Sequence, residues 1–349
     1  MFSISKFYIM PAVVSSVSNE SAPLSVLLSF LVDFLLLLVV IFICKNCKCG
    51  FYEFLEENFG NIVAKIVYSL YAIHFFSKAF IPILEQKSSI NLTFYESQPT
   101  LLTFMPFYLV AFYVIFKGVT AFSRSVEIML WLFVGGIIIT FSLSVPSGTY
   151  SDLLPFFTTF NKVFKGSSYS LIWFGDPVSI LFLVEFLEKK KGFKKVALSF
   201  FLSAVVTVLL VTVFYAVFGS VAERQYFAPL KMSKYSITLS NIGRLDYFGA
   251  LLFSAVSVYS LTFPLMLCCV CLNKVIPFKK AFISPLIICV LQGVLTYFFQ
   301  SDLYMLTTFY IRYVSIFYLA TCYLIPTLIL IFILIKKLTQ RVSLRGANV

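Results

Sequence analysis

Charged residues are scarce in this sequence. They make up only 12% of the 349 residues, whereas 60% are hydrophobic, and the mean hydropathy is +0.97. A soluble globular protein carries about 25% charged residues, so water could not solvate the surface that this chain would present. The composition excludes a soluble domain and a disordered chain, and it predicts a membrane protein.

Residues that serve the common enzyme mechanisms are also few. The sequence has one histidine, His74, and no P-loop, Gly-x-Ser-x-Gly or His-Glu-x-x-His motif. An intramembrane enzyme would gather several polar groups on facing helices, and here they are scattered along the chain. We therefore expect no enzyme activity, no catalytic residues and no cofactor.

Long apolar runs with few or no charged residues fill most of the chain. A membrane-spanning helix needs about 20 apolar residues, and the runs are continuous rather than alternating, which excludes an outer-membrane barrel. A short run at residues 7–17 precedes the others and cannot cross a membrane alone. The longer runs are residues 24–44, 59–84, 101–116, 128–144, 169–187, 196–218, 247–272, 281–300 and 313–335. The sequence predicts an all-α polytopic membrane protein in which residues 1–349 form one domain.

The positive charges indicate the orientation of the chain. Lys and Arg outnumber Asp and Glu by 27 to 15. They are concentrated in alternate connections, most densely at Lys189, Lys190 and Lys191, and the positive-inside rule then places both termini in the cytoplasm. Because these residues flank apolar runs, membrane lipid is the expected partner and nucleic acid is not.

Two cysteine clusters lie at predicted cytoplasmic ends of spans, where structural disulfides are rare. No histidine lies near either cluster, so the ligand pattern of a zinc or iron–sulfur site is incomplete and we expect no metal. The clusters are Cys44, Cys47 and Cys49, and Cys268, Cys269 and Cys271.

The most informative residues lie in the sixth span, if the short first run is counted as span one. Gly175, Asp176 and Pro177 fall near its middle. Proline removes a backbone donor and glycine adopts unusual dihedrals, so together they can unwind a helix. A carboxylate at that depth costs a few kcal/mol and marks a functional site by default. The alternative is a plain proline kink with Asp176 neutral or hydrogen-bonded.

The first run supplies a possible partner for this break. It is interrupted by Pro11 and followed by the small hydroxyl residues Ser15 and Ser16. Breaks at corresponding positions in two halves of a chain indicate the central site of a transporter. The two breaks fall in spans one and six, five spans apart.

Several local patterns resemble, in order, those of the spore germination permease family, the B subunits of germinant receptors within the amino acid–polyamine–organocation superfamily. The resemblance covers nearly the whole chain, with Asp176 where the family has glutamate. The patterns are Lys117-Gly118 followed by Arg124 and Glu127, Leu153-Leu154-Pro155, Phe174-Gly175-Asp176, and the long loop from Phe218-Gly219 to Asp246.

The resemblance implies a leucine-transporter-like inverted-repeat bundle of about ten helices, with repeats at about residues 1–145 and 168–335 and a tail at 336–349. Relative to the family, the first helix is expected to be truncated. The implied function is a membrane subunit of a germinant receptor in the inner membrane of the spore, with the A and C subunits as partners. It would bind a small nutrient, such as an amino acid, between helices 1, 3, 6 and 8. The alternative is a proton-coupled amino acid permease that acts alone.

Within this frame we assign candidate roles. Asp176 is predicted to bind the ammonium group of the ligand or to carry a coupling proton. His74 could relay protons, although a neutral, hydrogen-bonded histidine between helices is the simpler interpretation. Asp33 and Lys78 are expected to pair with each other or with another polar group, and Arg124 and Glu127 to form a structural ion pair. The remaining predicted ligand-binding residues are Pro11, Ser15, Ser16, Trp173, Phe174, Gly175, Ser257 and Tyr259.

Overall fold

The computed structural model describes residues 6–47, 50–93, 100–186, 191–234, 245–299 and 303–346. Every regular element in those ranges is helical. The first seven helices, α1 to α7, are Met10–Ser18, Ala22–Asn46, Phe51–Phe59, Asn61–Lys78, Phe80–Thr93, Thr100–Lys117 and Val119–Ser144. The others, α8 to α16, are Phe160–Ser170, Ser179–Leu183, Lys191–Phe218, Ala228–Lys234, Leu245–Val275, Ile283–Phe298, Leu303–Phe309, Ser315–Leu319 and Ile325–Gly346.

These helices confirm the prediction of an all-α polytopic membrane bundle. Among the described residues, seven helical stretches are long and apolar enough to cross a membrane, and two shorter apolar helices, Phe104–Lys117 and Ile283–Phe298, accompany them. Together they match the nine predicted spans. Many large apolar side chains on the outside of the bundle are exposed, among them Leu35, Ile62 and Leu198, and such a surface fits lipid rather than water.

The first run is a short helix. α1 has Pro11 in its first turn, where a missing backbone donor costs nothing and the fixed φ angle suits a helix. Within the described residues Pro11 therefore begins a helix and does not interrupt one, which corrects our interpretation of this proline. Residues 6–9, just before it, are not α-helical.

The sixth span is broken at its middle, as its sequence predicts. α8 passes into a 3-10 turn at Leu171–Trp173, and a second 3-10 turn, Asp176–Val178, leads into α9. Between them Gly175 has φ +80° and ψ 10°, a left-handed conformation that glycine adopts at little cost. Two backbone groups freed by this break bond to protein side chains, the carbonyl of Phe174 to Lys78 and the N–H of Gly175 to Asp33, as the membrane interior requires.

Small residues allow the helices around the break to pack closely. α1 lies against α8 and α2, and α2 also contacts α10. A Cβ atom on Gly166 would come within 2.6 Å of the hydroxyl oxygens of both Ser18 and Ser25, so only glycine fits there. One turn further, Ser29 forms hydrogen bonds of 2.8 Å with Ser167 and Ser170. Small residues and interhelical hydrogen bonds of this kind hold membrane helices together where no hydrophobic driving force acts.

On the other side of the break, α4 and α5 pack against α12. The last span carries two π-helical segments, Tyr310–Val314 and Ala320–Leu324. A π-helical turn widens a helix locally and is frequent at functional sites. The second segment presents Thr321 and Cys322 towards the middle of the bundle, where both side chains are buried.

Candidate ligand-binding site at the break in the sixth span

Asp176 is the centre of a buried charge cluster. Its two carboxylate oxygens form salt bridges to different lysines, Oδ2 to Lys6 and Oδ1 to Lys78 at 2.6 Å. Lys6 comes from the segment before α1, and Lys78 is the last residue of α4. The ammonium group of Lys6 also lies 4.9 Å from the ring centroid of Phe174, within cation–π distance. The carboxylate is therefore ionised and paired within the protein.

Lys78 stabilises the break itself. Besides Asp176, its ammonium group donates a hydrogen bond of 2.8 Å to the backbone carbonyl of Phe174. That carbonyl has lost its helical partner, because the helix stops at this residue. An unpaired carbonyl inside a membrane costs several kcal/mol. The ammonium group of Lys78 avoids this cost by donating to the carbonyl, and it also provides a counter-ion for Asp176.

Asp33 stabilises the same break from the opposite side. Both of its carboxylate oxygens lie 3.1 Å from the backbone nitrogen of Gly175, which donates to them, and one oxygen also accepts a hydrogen bond of 2.7 Å from Tyr323. Asp33 and Lys78 thus each bond to other polar groups of the break, as one of our two alternatives predicted. With Lys6 and Asp176 they form a cluster of two positive and two negative charges.

Position 175 requires glycine for two reasons, its positive φ angle and its close packing against a neighbouring span. A Cβ atom on Gly175 would lie 2.5 Å from the sulfur and 2.9 Å from the Cβ of Cys322. Cys322 belongs to the second π-helical segment of the last span. The break in span six therefore fits closely against an irregular part of span ten.

A cavity opens beside the charge cluster. The centre of a water-sized sphere can occupy a volume of about 50 Å³ in this cavity. One water molecule needs ~10–15 Å³ by the same measure, so the cavity can hold more than one. Asp176 and Lys78 each expose about a seventh of their side chain (14% and 13%), whereas Lys6 is fully buried. The lining residues are Phe75, Lys78, Pro82, Gly175, Asp176, Ser179, Ser260, Phe263, Pro264 and Leu267.

The α12 side of this cavity offers unused hydrogen-bonding groups. The hydroxyl oxygen of Ser260 is buried and has no partner among the described residues. Pro264, four residues later, lies inside the helix and has no N–H to donate to the carbonyl of Ser260. One wall of the cavity is therefore polar, and the phenylalanine and leucine side chains make the others apolar.

Several predicted ligand-binding residues lie elsewhere. The indole nitrogen of Trp173 donates to Glu85 at 3.3 Å, and Phe174 packs edge-on against Phe30, so neither side chain lines the cavity. Ser257 donates a hydrogen bond of 2.9 Å to the hydroxyl of Tyr8. Tyr259 packs against the ring of Phe122. These side chains surround the site without facing the open space.

The predicted hydroxyls of the first helix are also outside the cavity. Ser16 is exposed, and its side chain bonds to the carbonyl of Val13. Ser15 is buried, and its hydroxyl has no partner among the described residues. The segment before the helix contributes to the site instead, through Lys6.

His74 lies one turn before Lys78, with its ring fully buried. Its Nδ1 atom is 2.8 Å from the hydroxyl of Thr321, and its Nε2 atom is 3.7 Å from the sulfur of Cys322. This environment fits the simpler interpretation of a neutral, hydrogen-bonded histidine between helices. Proton relay by His74 stays a prediction.

The structure also shows where the other charged and cysteine residues of the sequence analysis lie. Arg124 and Glu127 are both exposed, and no salt bridge joins them in the described part of the chain, so the predicted ion pair is wrong. Long side chains at such a position gain little from pairing. The described cysteines are buried and form no disulfide, and no group of metal ligands occurs among the described residues. Cys49 lies outside those residues.

The sequence of the chain was compared with those of known families. Residues 5–303 match a family described as spore germination protein, and this region includes α1, the broken sixth span and the cavity. The chain belongs to the spore germination protein family. Among curated proteins no significant match was found. As a member of the spore germination family with these spans, the protein is a multi-pass membrane protein related to germinant receptors.

Proposed function

We propose that this protein is the membrane subunit of a spore germinant receptor, and that it binds a small nutrient in the cavity beside the break in span six. The salt bridge between Lys78 and Asp176 carries this proposal, because both partners remain partly exposed to the cavity. A charged pair that was only structural would be expected to be closed off, as Lys6 is on the other side of the same carboxylate.

The chemistry of the cavity fits an amino acid. The ammonium group of Lys78 can pair with the carboxylate of the ligand, and the carboxylate of Asp176 can pair with its ammonium group. Both partners then exchange one charged neighbour for another, so no ion is left unpaired at mid-membrane. The hydroxyl and carbonyl of Ser260 offer further polar contacts. Phe75, Phe263 and Leu267 provide a surface for an apolar side chain.

Binding there would act directly on the break. Lys78 bonds both to the carbonyl of Phe174 and to Asp176, the first residue of the second half of span six. A ligand that draws its ammonium group away therefore loosens the start of that second half. That half ends in the cytoplasmic direction near Glu185, which lies 3.5 Å from Lys274 at the end of α12. Lys274 in turn bonds to Glu53 of α3 at 2.6 Å. This gives a route from the cavity to the cytoplasmic side, where we expect contacts with the A and C subunits.

The runner-up function is a proton-coupled amino acid permease that acts alone. A broken helix beside a cavity at mid-membrane serves transport as well as sensing, and fold does not decide between them. In either function both termini lie in the cytoplasm. Neither function involves catalysis.

Germination and uptake measurements separate these functions. Spores that carry Asp176→Asn should lose the response to their nutrient, whereas Asp152→Asn, which changes an exposed carboxylate in an outer loop, should retain it. Proteoliposomes containing the wild-type protein should then be tested with labelled L-amino acids. Saturable uptake that depends on a pH gradient would favour the permease. A normal germination response of Asp176→Asn spores would contradict the receptor function at this site.

A further inference from the structure

Besides Asp176 and Asp33, a third buried carboxyl group, Glu85 of α5, lies close to the break. Asp33 accepts hydrogen bonds from the backbone N–H of Gly175 and from Tyr323, whereas Glu85 has neither a backbone donor nor an ionic partner among the described residues. Its side chain is 1% exposed. Its Oε1 atom accepts a hydrogen bond of 3.3 Å from the indole nitrogen of Trp173, and no lysine or arginine forms a salt bridge with it in the described part of the chain. Asp176, at the same break, has two lysine partners. The two acids therefore have opposite electrostatic environments.

The groups around Glu85 do not supply a positive charge. The indole of Trp173 faces it from span six, and the segment before α1 contributes the hydroxyl of Tyr8, which accepts from Ser257 of α12. Lys87 is two residues further along α5, and residues at i and i+2 do not face each other on a helix. Lys6 and Lys78 both bond to Asp176. The described parts of α6 and α13 bring no charged side chain to this end of the bundle.

A carboxylate without a counter-ion in such a place is costly. Transfer of an isolated charge from water into protein of low dielectric constant costs many kcal/mol, and a buried acid avoids that cost by taking up a proton. The protonated group is neutral, and its carbonyl oxygen can still accept the hydrogen bond from Trp173. We propose that Glu85 is a proton-binding site of this protein, coupled to the break in span six through Trp173.

The coupling runs through consecutive contacts. Trp173 is the last residue of the 3-10 turn that precedes the break. The next residue, Phe174, presents its carbonyl to Lys78, and Lys78 bonds to Asp176. When Glu85 releases its proton to water, its carboxylate forms a stronger, charge-assisted hydrogen bond with the indole. The position of Trp173 then changes, and the start of the break changes with it.

This inference goes beyond the proposed nutrient site, because proton binding at Glu85 does not depend on the identity of the ligand. It therefore has a test that needs no ligand. The protein contains two tryptophans, Trp131 and Trp173, and Trp131 is 77% exposed on the outside of the bundle. In a Trp131→Phe variant reconstituted in nanodiscs, the fluorescence reports on Trp173 alone.

We expect the emission of Trp173 to change in a single transition as the pH is raised above neutrality. Glu85→Gln keeps an oxygen that can accept from the indole but does not titrate, so in that background the transition should disappear. Glu53→Gln, which changes an acid of the cytoplasmic helix α3, should leave it in place. A transition that persists in Glu85→Gln, or emission that is constant with pH in the Trp131→Phe parent, would overturn the proposal.

Infrared spectroscopy provides a second measurement in case Glu85→Gln fails to fold. The wild-type protein at pH 7 should show the C=O band of a protonated carboxylic acid, which shifts in D₂O and is lost at high pH. The absence of such a band at pH 7 would also overturn the proposal. Neither outcome bears on nutrient binding at Asp176, so failure of this inference and failure of the proposed function can be told apart.

Discussion

Lys78 bonds to both sides of the break in span six, to the carbonyl of Phe174 at 2.8 Å and to the carboxylate of Asp176 at 2.6 Å. One side chain from α4 thus spans the two residues that flank Gly175. The same ammonium group faces the cavity. A ligand that competes for Lys78 therefore acts on the conformation of the break as well as on the charge of the site.

The first prediction concerns this lysine. Lys78→Met leaves the Phe174 carbonyl without a donor and Asp176 with Lys6 alone, and removal of one partner of a buried ion pair costs about 3–5 kcal/mol. We expect a large fall in the thermal unfolding midpoint of the detergent-solubilised protein.

Lys274→Met is the control for this experiment. Lys274 also pairs with carboxylates, but its side chain is about one-third exposed, and such a pair contributes about 0–1 kcal/mol. Equal destabilisation by the two lysine substitutions would contradict a special role for Lys78 at the break.

A second prediction concerns Gly175. Gly175→Ala places a methyl group 2.5 Å from the sulfur of Cys322 and also forces alanine to adopt φ +80°. The dihedral strain costs about 1–3 kcal/mol, and the overpacking adds about 1–3 kcal/mol. Expression of folded protein, measured by size-exclusion chromatography, should fall sharply, and Cys322→Ala in the same chain should restore part of it.

Gly60→Ala and Gly118→Ala separate the two costs. Both glycines have φ +86°, and a Cβ atom on either would meet nothing within 4 Å. They should therefore show the dihedral strain alone. If Gly175→Ala is tolerated as well as these two, the close packing between the break and Cys322 does not exist in the protein.

A third prediction concerns the pH dependence of the ion pairs that Lys274 forms with Glu53 and Glu185. Burial raises the pKa of Glu53, but the hydrogen bond and the charge of Lys274 outweigh burial and lower it below the usual 4.5. A lowered pKa in the folded state means that Glu53 stabilises the protein above the ordinary glutamate pKa, and that this stabilisation is lost as the pH falls through the folded-state pKa. Because the pair is partly exposed, the effect should be below about 1 kcal/mol.

The measurement is the difference in unfolding midpoint between the wild type and Glu53→Gln, followed from pH 7 downwards. The wild type should be the more stable at pH 7, and the difference should close in acid. Glu56→Gln, an exposed position on the same helix without a salt bridge in the described residues, should give no such trend. A difference that widens as the pH falls would contradict the assignment.

The sequence alone predicted the helical membrane bundle and the position of the break in span six. Spans follow from long apolar runs with few charged residues. Gly175, Asp176 and Pro177 indicate a break because each is unfavourable in the middle of an ordinary membrane helix. These are local signals that need no knowledge of what packs nearby.

The partners at the break depended on long-range packing and were missed or misplaced. Lys6 lies 170 positions from Asp176 in the sequence and precedes the first apolar run. The sequence predicted Ser257 of α12 as a ligand-binding residue, but Ser257 bonds to Tyr8, and Ser260, three residues further along the helix, lines the cavity. Glu85 was overlooked because the predicted span ended at residue 84, whereas the helix continues to Thr93.

The central claim is that a small nutrient binds in the cavity beside Lys78 and Asp176. Its most direct test is equilibrium binding of labelled L-amino acids to the purified protein in nanodiscs. The wild type is compared with two variants. Ser260→Met fills the cavity, and Ser199→Met, the control, changes an exposed residue of α10. We predict saturable binding of at least one amino acid to the wild type and to Ser199→Met. In Ser260→Met the dissociation constant for that amino acid should rise about tenfold or more, which corresponds to ~1.4 kcal/mol. Equal affinity in all three proteins, or no saturable binding to the wild type, would contradict the account.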